Sequence, residues 1–185
     1  MDKGLTIFVF SCLGLLIITS IVATQIGISY QQDNIAYTTI LKSDIKILEV
    51  SSIAQKGSDY YSEASFFYEQ QNYNAVESNC RLARGYFSDA SQGYKDIQSS
   101  IKPSRSDMVK LYGESLGFLS ETQLNLFEAC EHFESASRYY DDDNYEQGDA
   151  EIEMMNEKIT LHDDNIRKYN SKLADFHAEL EDMLE

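Results

Sequence analysis

The feature that most constrains this chain is that it repeats itself. Ala64 through Tyr73 (ASFFYEQQNY) aligns with Ala136 through Tyr145 (ASRYYDDDNY) at an offset of 72 residues, and five of the ten pairs are identical. The hydrophobic pattern obeys the same offset. Ile40, Ile47, Ala54, Tyr61 and Tyr68 recur every seven residues, and 72 positions further on stand Tyr112, Leu119, Leu126, Phe133 and Tyr140. After each Asn-Tyr the spacing becomes an alternation of three and four. Cys80, Ala83, Phe87, Ala90, Tyr94 and Ile97 map onto Ile152, Met155, Ile159, His162, Ile166 and Tyr169, and the second series runs on through Leu173, Phe176, Leu180 and Met183.

A repeat of 3.5 residues keeps one apolar seam facing a neighbour over many turns, so these segments predict long helices packed at shallow angles. Four can be drawn: Asp33 to Gln71, Tyr73 to Ser100, Ser104 to Asp142, and Tyr145 to Leu184. Lys102-Pro103-Ser104 fits a break and a restart, because Pro disfavours helix at the residue before it and Ser caps a helix well. Asn72 and Asn144 suit turns, as residues that tolerate left-handed backbone or cap the next helix. Short connections force successive helices to run antiparallel. The expected fold is therefore all-α: an elongated up-down-up-down four-helix bundle made of two duplicated antiparallel hairpins, residues 33–102 and 103–185. The single Pro and nine Gly are too few to punctuate a many-stranded alternative.

Ala64, Tyr68, Asn72-Tyr73 and Ala83 also resemble part of the tetratricopeptide consensus, which implies shorter helices nested in a repeat array. That family's closing Pro is missing here, so the long bundle is the first expectation.

Ahead of the repeat, no Asp, Glu, Lys, Arg or His occurs from Gly4 to Gln32. Its core, Leu5 to Thr24, is about as long as a helix must be to cross ~30 Å of hydrocarbon, so residues 5–28 are expected to anchor the chain in a membrane behind a tail at 1–4. A cleaved signal peptide is the competing reading, although Ile21 and Ala23 make a poor small-x-small site. Lys3-Gly4 resembles a type IV prepilin cleavage site, but Val9 stands where that family carries Glu. Lys3 lies close to the apolar run, whereas the first cations beyond it are Lys42 and Lys46, an asymmetry that favours a single-pass topology with an extracytoplasmic domain.

Charge excludes one class of partner. Fifteen Lys and Arg face 31 Asp and Glu, a net charge of -16 that repels a phosphate backbone, so nucleic acid is not expected. Residues 1–100 carry seven basic and ten acidic side chains, and residues 101–185 eight and twenty-one, which makes the second hairpin the acidic one.

Few residues invite chemistry. Cys80 and Cys130 fall on seam positions of neighbouring helices, as a disulfide or simply a buried pair. Glu128 and His132 share a helix face at a spacing that two metal ligands can use. Asp142 and Asp143 belong to an acidic turn that clusters oxygens as a hard cation requires, but Gln147 stands where a calcium loop needs Gly. His162 puts a titratable ring on a seam, a position that can sense pH. No Gly-rich phosphate loop or nucleophile motif occurs, and no cofactor is expected.

The expected function is a non-catalytic, membrane-anchored scaffold or adaptor whose acidic rod meets protein partners or its own copies. An extracytoplasmic sensor or small-ligand-binding bundle and a metal-binding bundle are the alternatives.

Overall fold

The computed structural model describes residues 33–101 and 107–182. They form four helices: α1 (Asp33–Glu69), α2 (Tyr73–Ser100), α3 (Asp107–Asp141) and α4 (Tyr145–Asp182). Every described residue outside them lies in the two tip turns or in the bend at Ile101. The chain folds as an up-down four-helix bundle in which each helix packs on its sequence neighbours, and α3 also touches α1. Helices of 28 to 38 residues are too long for the nested tetratricopeptide alternative. At 1.5 Å per residue, α4 is roughly 57 Å long.

The seams sort into two apolar clusters. One, toward the end where α1 starts, joins Ile47, Tyr94, Tyr112, Leu116, Leu119, Tyr169 and Phe176. The other, toward the two turns, joins Ala64, Val76, Cys80, Phe87, Cys130 and Phe133. Ile47 is 1% exposed, as its heptad position requires. Close helix approach is set by glycine. A Cβ on Gly57 would lie 2.7 Å from Phe87 Cδ1, and one on Gly93 would lie 2.6 Å from Val50 Cγ2, so α1 and α2 meet where side chains are absent.

The two turns at the tip are copies of each other. Gln71 and Asp143 both take φ 57°. Asn72 N–H donates to Phe67 O at 3.0 Å and Gln71 N–H to Tyr68 O at 2.9 Å, while Asn144 N–H donates to Tyr139 O at 2.7 Å and Asp143 N–H to Tyr140 O at 3.2 Å. That pair of bonds is a Schellman motif closing α1 and α3. The left-handed residue is thus the one before each Asn. Asn72 instead caps α2, its side chain accepting from Ala75 N–H at 3.3 Å.

One expectation needs correction. The α4 seam was expected to be buried throughout, yet Ile152, Met155, Ile159, His162 and Ile166 are only half-buried. Cα atoms of α1 and α4 stay more than 8 Å apart, so the bundle does not close tightly along this edge. Side chains bridge it instead, as where Tyr61 Oη–H donates to Met155 Sδ at 3.6 Å.

Among the described residues no helix is long and apolar enough to cross a membrane. The anchor expected at 5–28, the tail at 1–4 and the turn at Pro103 lie outside the described residues.

Candidate functional site

The tip gathers aromatic rings in pairs related by the duplication. Tyr61 meets its own counterpart Phe133 with centroids 5.9 Å apart, and Tyr68 meets its counterpart Tyr140, also at 5.9 Å. Tyr73 and Tyr145, a third equivalent pair, flank Tyr140 at 5.5 and 6.0 Å. Heptad positions that aim at a common seam bring equivalent residues together, so the ring stack follows directly from the repeat. Tyr140 Oη–H donates to Asp149 Oδ1 at 2.7 Å. Burial, followed by that bond, pushes the Tyr140 phenol well above its ordinary range. Tyr145 is 58% exposed, and carboxylates surround it: Asp141, Asp142, Asp143, Glu146 and Asp149 are all solvent-facing.

Asp142 and Asp143 therefore sit on an open acidic turn. Asp143 Oδ1 accepts from Tyr145 Oη–H at 3.2 Å, an interaction that raises the Tyr145 phenol. Glu128 and His132 do share a face of α3, but α4 engages them separately. Lys158 Nζ lies 2.6 Å from Glu128 Oε2, and Glu151 Oε2 lies 2.7 Å from His132 Nδ1. Among the described residues no three His, Cys, Asp or Glu side chains gather as a metal site would need. His162, 14% exposed at the side chain, places Nδ1 2.9 Å from Oδ1 of adjacent Asp163.

The α2–α3 seam holds the densest charge. Glu134, 5% exposed at the side chain, receives Arg84 Nη1 at 2.9 Å, Arg81 Nη2 at 3.4 Å and Arg138. Arg84 also grips Glu131 and lies over the Phe127 ring at 4.8 Å, while Glu77 pairs with Arg81 at 2.6 Å and with Arg138 at 3.1 Å. The bond to Glu77 contributes most to raising the Arg138 guanidinium, with Glu134 adding to it. Burying a carboxylate is tolerated where cations and hydrogen bonds replace water, and these arginines supply both. Cys80 and Cys130 lie in the same seam. Both are fully buried free thiols, and burial followed by the neighbouring Cys80 raises the Cys130 thiol.

Sequence reasoning missed three buried polar groups. Asp44, 4% exposed, accepts from Tyr112 Oη–H at 2.9 Å; burial and then the Asp44 charge raise the Tyr112 phenol. Gln123 is 2% exposed and its Oε1 has no hydrogen-bond partner. Glu134 read as one acid among many. Their one legible signal was the seam register: Gln123 is seven residues before Cys130, on the stripe that faces the core.

The described residues thus hold an exposed aromatic and acidic tip, a buried ion cluster and a buried thiol pair. Comparison with protein-family models, curated proteins and solved structures finds no match for this chain.

Proposed function

We propose that this chain is a non-catalytic scaffold or adaptor, held in a membrane by residues 5–28, whose helical rod offers an acidic surface to protein partners on the extracytoplasmic side. The observation that carries the reading is the state of α4. Its seam is half-covered, Met154 and Leu161 are 38% and 46% exposed, and Tyr145 stands open among carboxylates. Apolar side chains framed by predominantly negative charge are the composition of a docking face that selects its partner by complementarity.

The test uses the full chain reconstituted in membranes, with crosslinking and affinity capture at low and at high salt. A partner captured through α4, lost when Met154 and Leu161 are both changed to Ser, supports the reading. Capture unaffected by those changes, or none at either salt concentration, overturns it.

A second reading, a ligand-binding bundle, is favoured by Gln123, whose buried carbonyl lacks a partner. A polar small molecule lodged between helices would satisfy it. Substituting Gln123→Leu separates the two cases: with no ligand the change stabilises the fold by ~1 kcal/mol, since an unsatisfied polar group is removed. A protein that is destabilised by that substitution points to an occupant. A metal-binding bundle is the third reading, and bound metal at stoichiometric level after purification is the result it requires.

A further inference from the structure

Cys80 on α2 and Cys130 on α3 are an element that neither docking nor ligand binding uses. Each has 0% exposure and both belong to the tip-side apolar cluster. The Ser91–Ser120 hydroxyl pair, 3.0 Å apart, sets the antiparallel register of α2 and α3, and that register brings Cys80, eleven residues before Ser91, level with Cys130, ten residues after Ser120. Thiols level with each other on neighbouring packed helices need a shift of the two side chains, not of a helix, to reach the ~2.05 Å of a disulfide. The surroundings decide when this can happen. Arg84 follows Cys80 by one turn and Glu134 follows Cys130 by one turn, and the ion pair between them, at 2.9 Å, ties α2 to α3 beside the thiols. Burial, then the neighbouring Cys80, raises the Cys130 thiol, with the Arg84 charge opposing them. A closed seam therefore holds Cys130 as an unreactive thiol, because the thiolate is the nucleophile.

We propose that Cys80 and Cys130 are a redox-convertible cross-link between the two hairpins, made by exchange with a small-molecule disulfide when α2 and α3 part at the Arg84–Glu134 clamp. In the opened state one cysteine loses its proton, and its thiolate attacks a sulfur of the oxidant. The oxidant's S–S bond breaks, a mixed disulfide forms and one thiolate leaves. The second cysteine, also deprotonated, attacks the protein sulfur of that mixed disulfide and expels the other thiolate. The protein loses two electrons and two protons, and the oxidant is reduced to two thiols. The new bond closes a loop from residue 80 to residue 130 that includes the connection between the hairpins, so it restricts the unfolded chain strongly.

The experiment treats the purified full chain with oxidised glutathione, then maps linkages by non-reducing digestion and mass spectrometry. The expected result is a Cys80–Cys130 linked peptide that a reductant releases, with two thiols lost per chain and the melting midpoint raised by roughly 5–15 °C. Arg84→Met, which opens the clamp, should speed the loss several-fold. Glutathione adducts without the linked peptide, linkage only through Cys12, the third cysteine of the chain, within its N-terminal apolar run, or thiols that resist oxidation even at denaturant just below the unfolding transition would overturn the proposal. Cys80→Ala should leave Cys130 able to take only a glutathione adduct. Should that variant fail to fold, the linkage map of the unaltered chain decides by itself.

Discussion

Gln71 and Asp143, 72 positions apart, close α1 and α3 with the same backbone angle, φ 57°, and the same pair of hydrogen bonds. The duplication therefore extends to the dihedrals of single residues. A left-handed residue with a Cβ carries strain that glycine avoids. We expect Gln71→Gly to stabilise the bundle by ~1 kcal/mol. Asp143→Gly should gain less, because it also removes the acceptor for Tyr145 Oη–H. Equilibrium denaturation checks both, and a loss of stability in Gln71→Gly would contradict the turn geometry.

Glycines that look alike in sequence should behave oppositely. At Gly57 a Cβ meets Phe87 at 2.7 Å, and at Gly93 it meets Val50 at 2.6 Å, whereas nothing lies within 4 Å at Gly85 or Gly113. Alanine in a helix interior is favoured over glycine by ~1 kcal/mol, so Gly85→Ala and Gly113→Ala should raise the unfolding midpoint. Overpacking costs ~1–3 kcal/mol, so Gly57→Ala and Gly93→Ala should lower it. Four melting curves decide the matter.

Within the ion cluster, burial sets the scale. Glu134→Ala removes the buried anion shared by Arg84 and Arg138, leaves them only the more exposed Glu131 and Glu77, and should cost ~3 kcal/mol. Glu131, 44% exposed at the side chain, also pairs with Arg84, but its loss should cost under ~1 kcal/mol because water screens it. A double-mutant cycle between Arg84 and each acid measures the difference directly. Equal coupling energies would show that burial does not control this cluster.

The tyrosines predict an alkaline limit. Burial and then the Asp44 charge raise the Tyr112 phenol above its ordinary value of 10.0, so the folded state favours the protonated form. Its contribution is complete below pH 10 and is lost as pH rises from there toward the folded-state value, because the unfolded chain releases the proton first. Stability should fall by about 1.4 kcal/mol per pH unit for this one group. Tyr112→Phe should lower stability at neutral pH, where Asp44 loses a donor, yet flatten the alkaline slope. Urea titrations at pH 8 through 11 test the sign, and a slope unchanged by Tyr112→Phe would assign the alkaline loss to other groups.

The sequence by itself determined the helices, their order and the hairpin repeat. Residues such as Ile47, Tyr94 and Leu119 declare the core face through spacing alone, since 3.5-residue periodicity is a property of a single helix. It also located both tip turns to within a residue. Only the tertiary structure decided how far α4 is covered, because the separation of α1 and α4 is fixed by contacts between distant segments and leaves no trace in the period of either. The same holds for polar burial. Asp44, Gln123 and Glu134 are ordinary polar letters in a row, and their neighbours at the seam, drawn from helices far along the chain, determine whether each is solvated, paired or left without a partner.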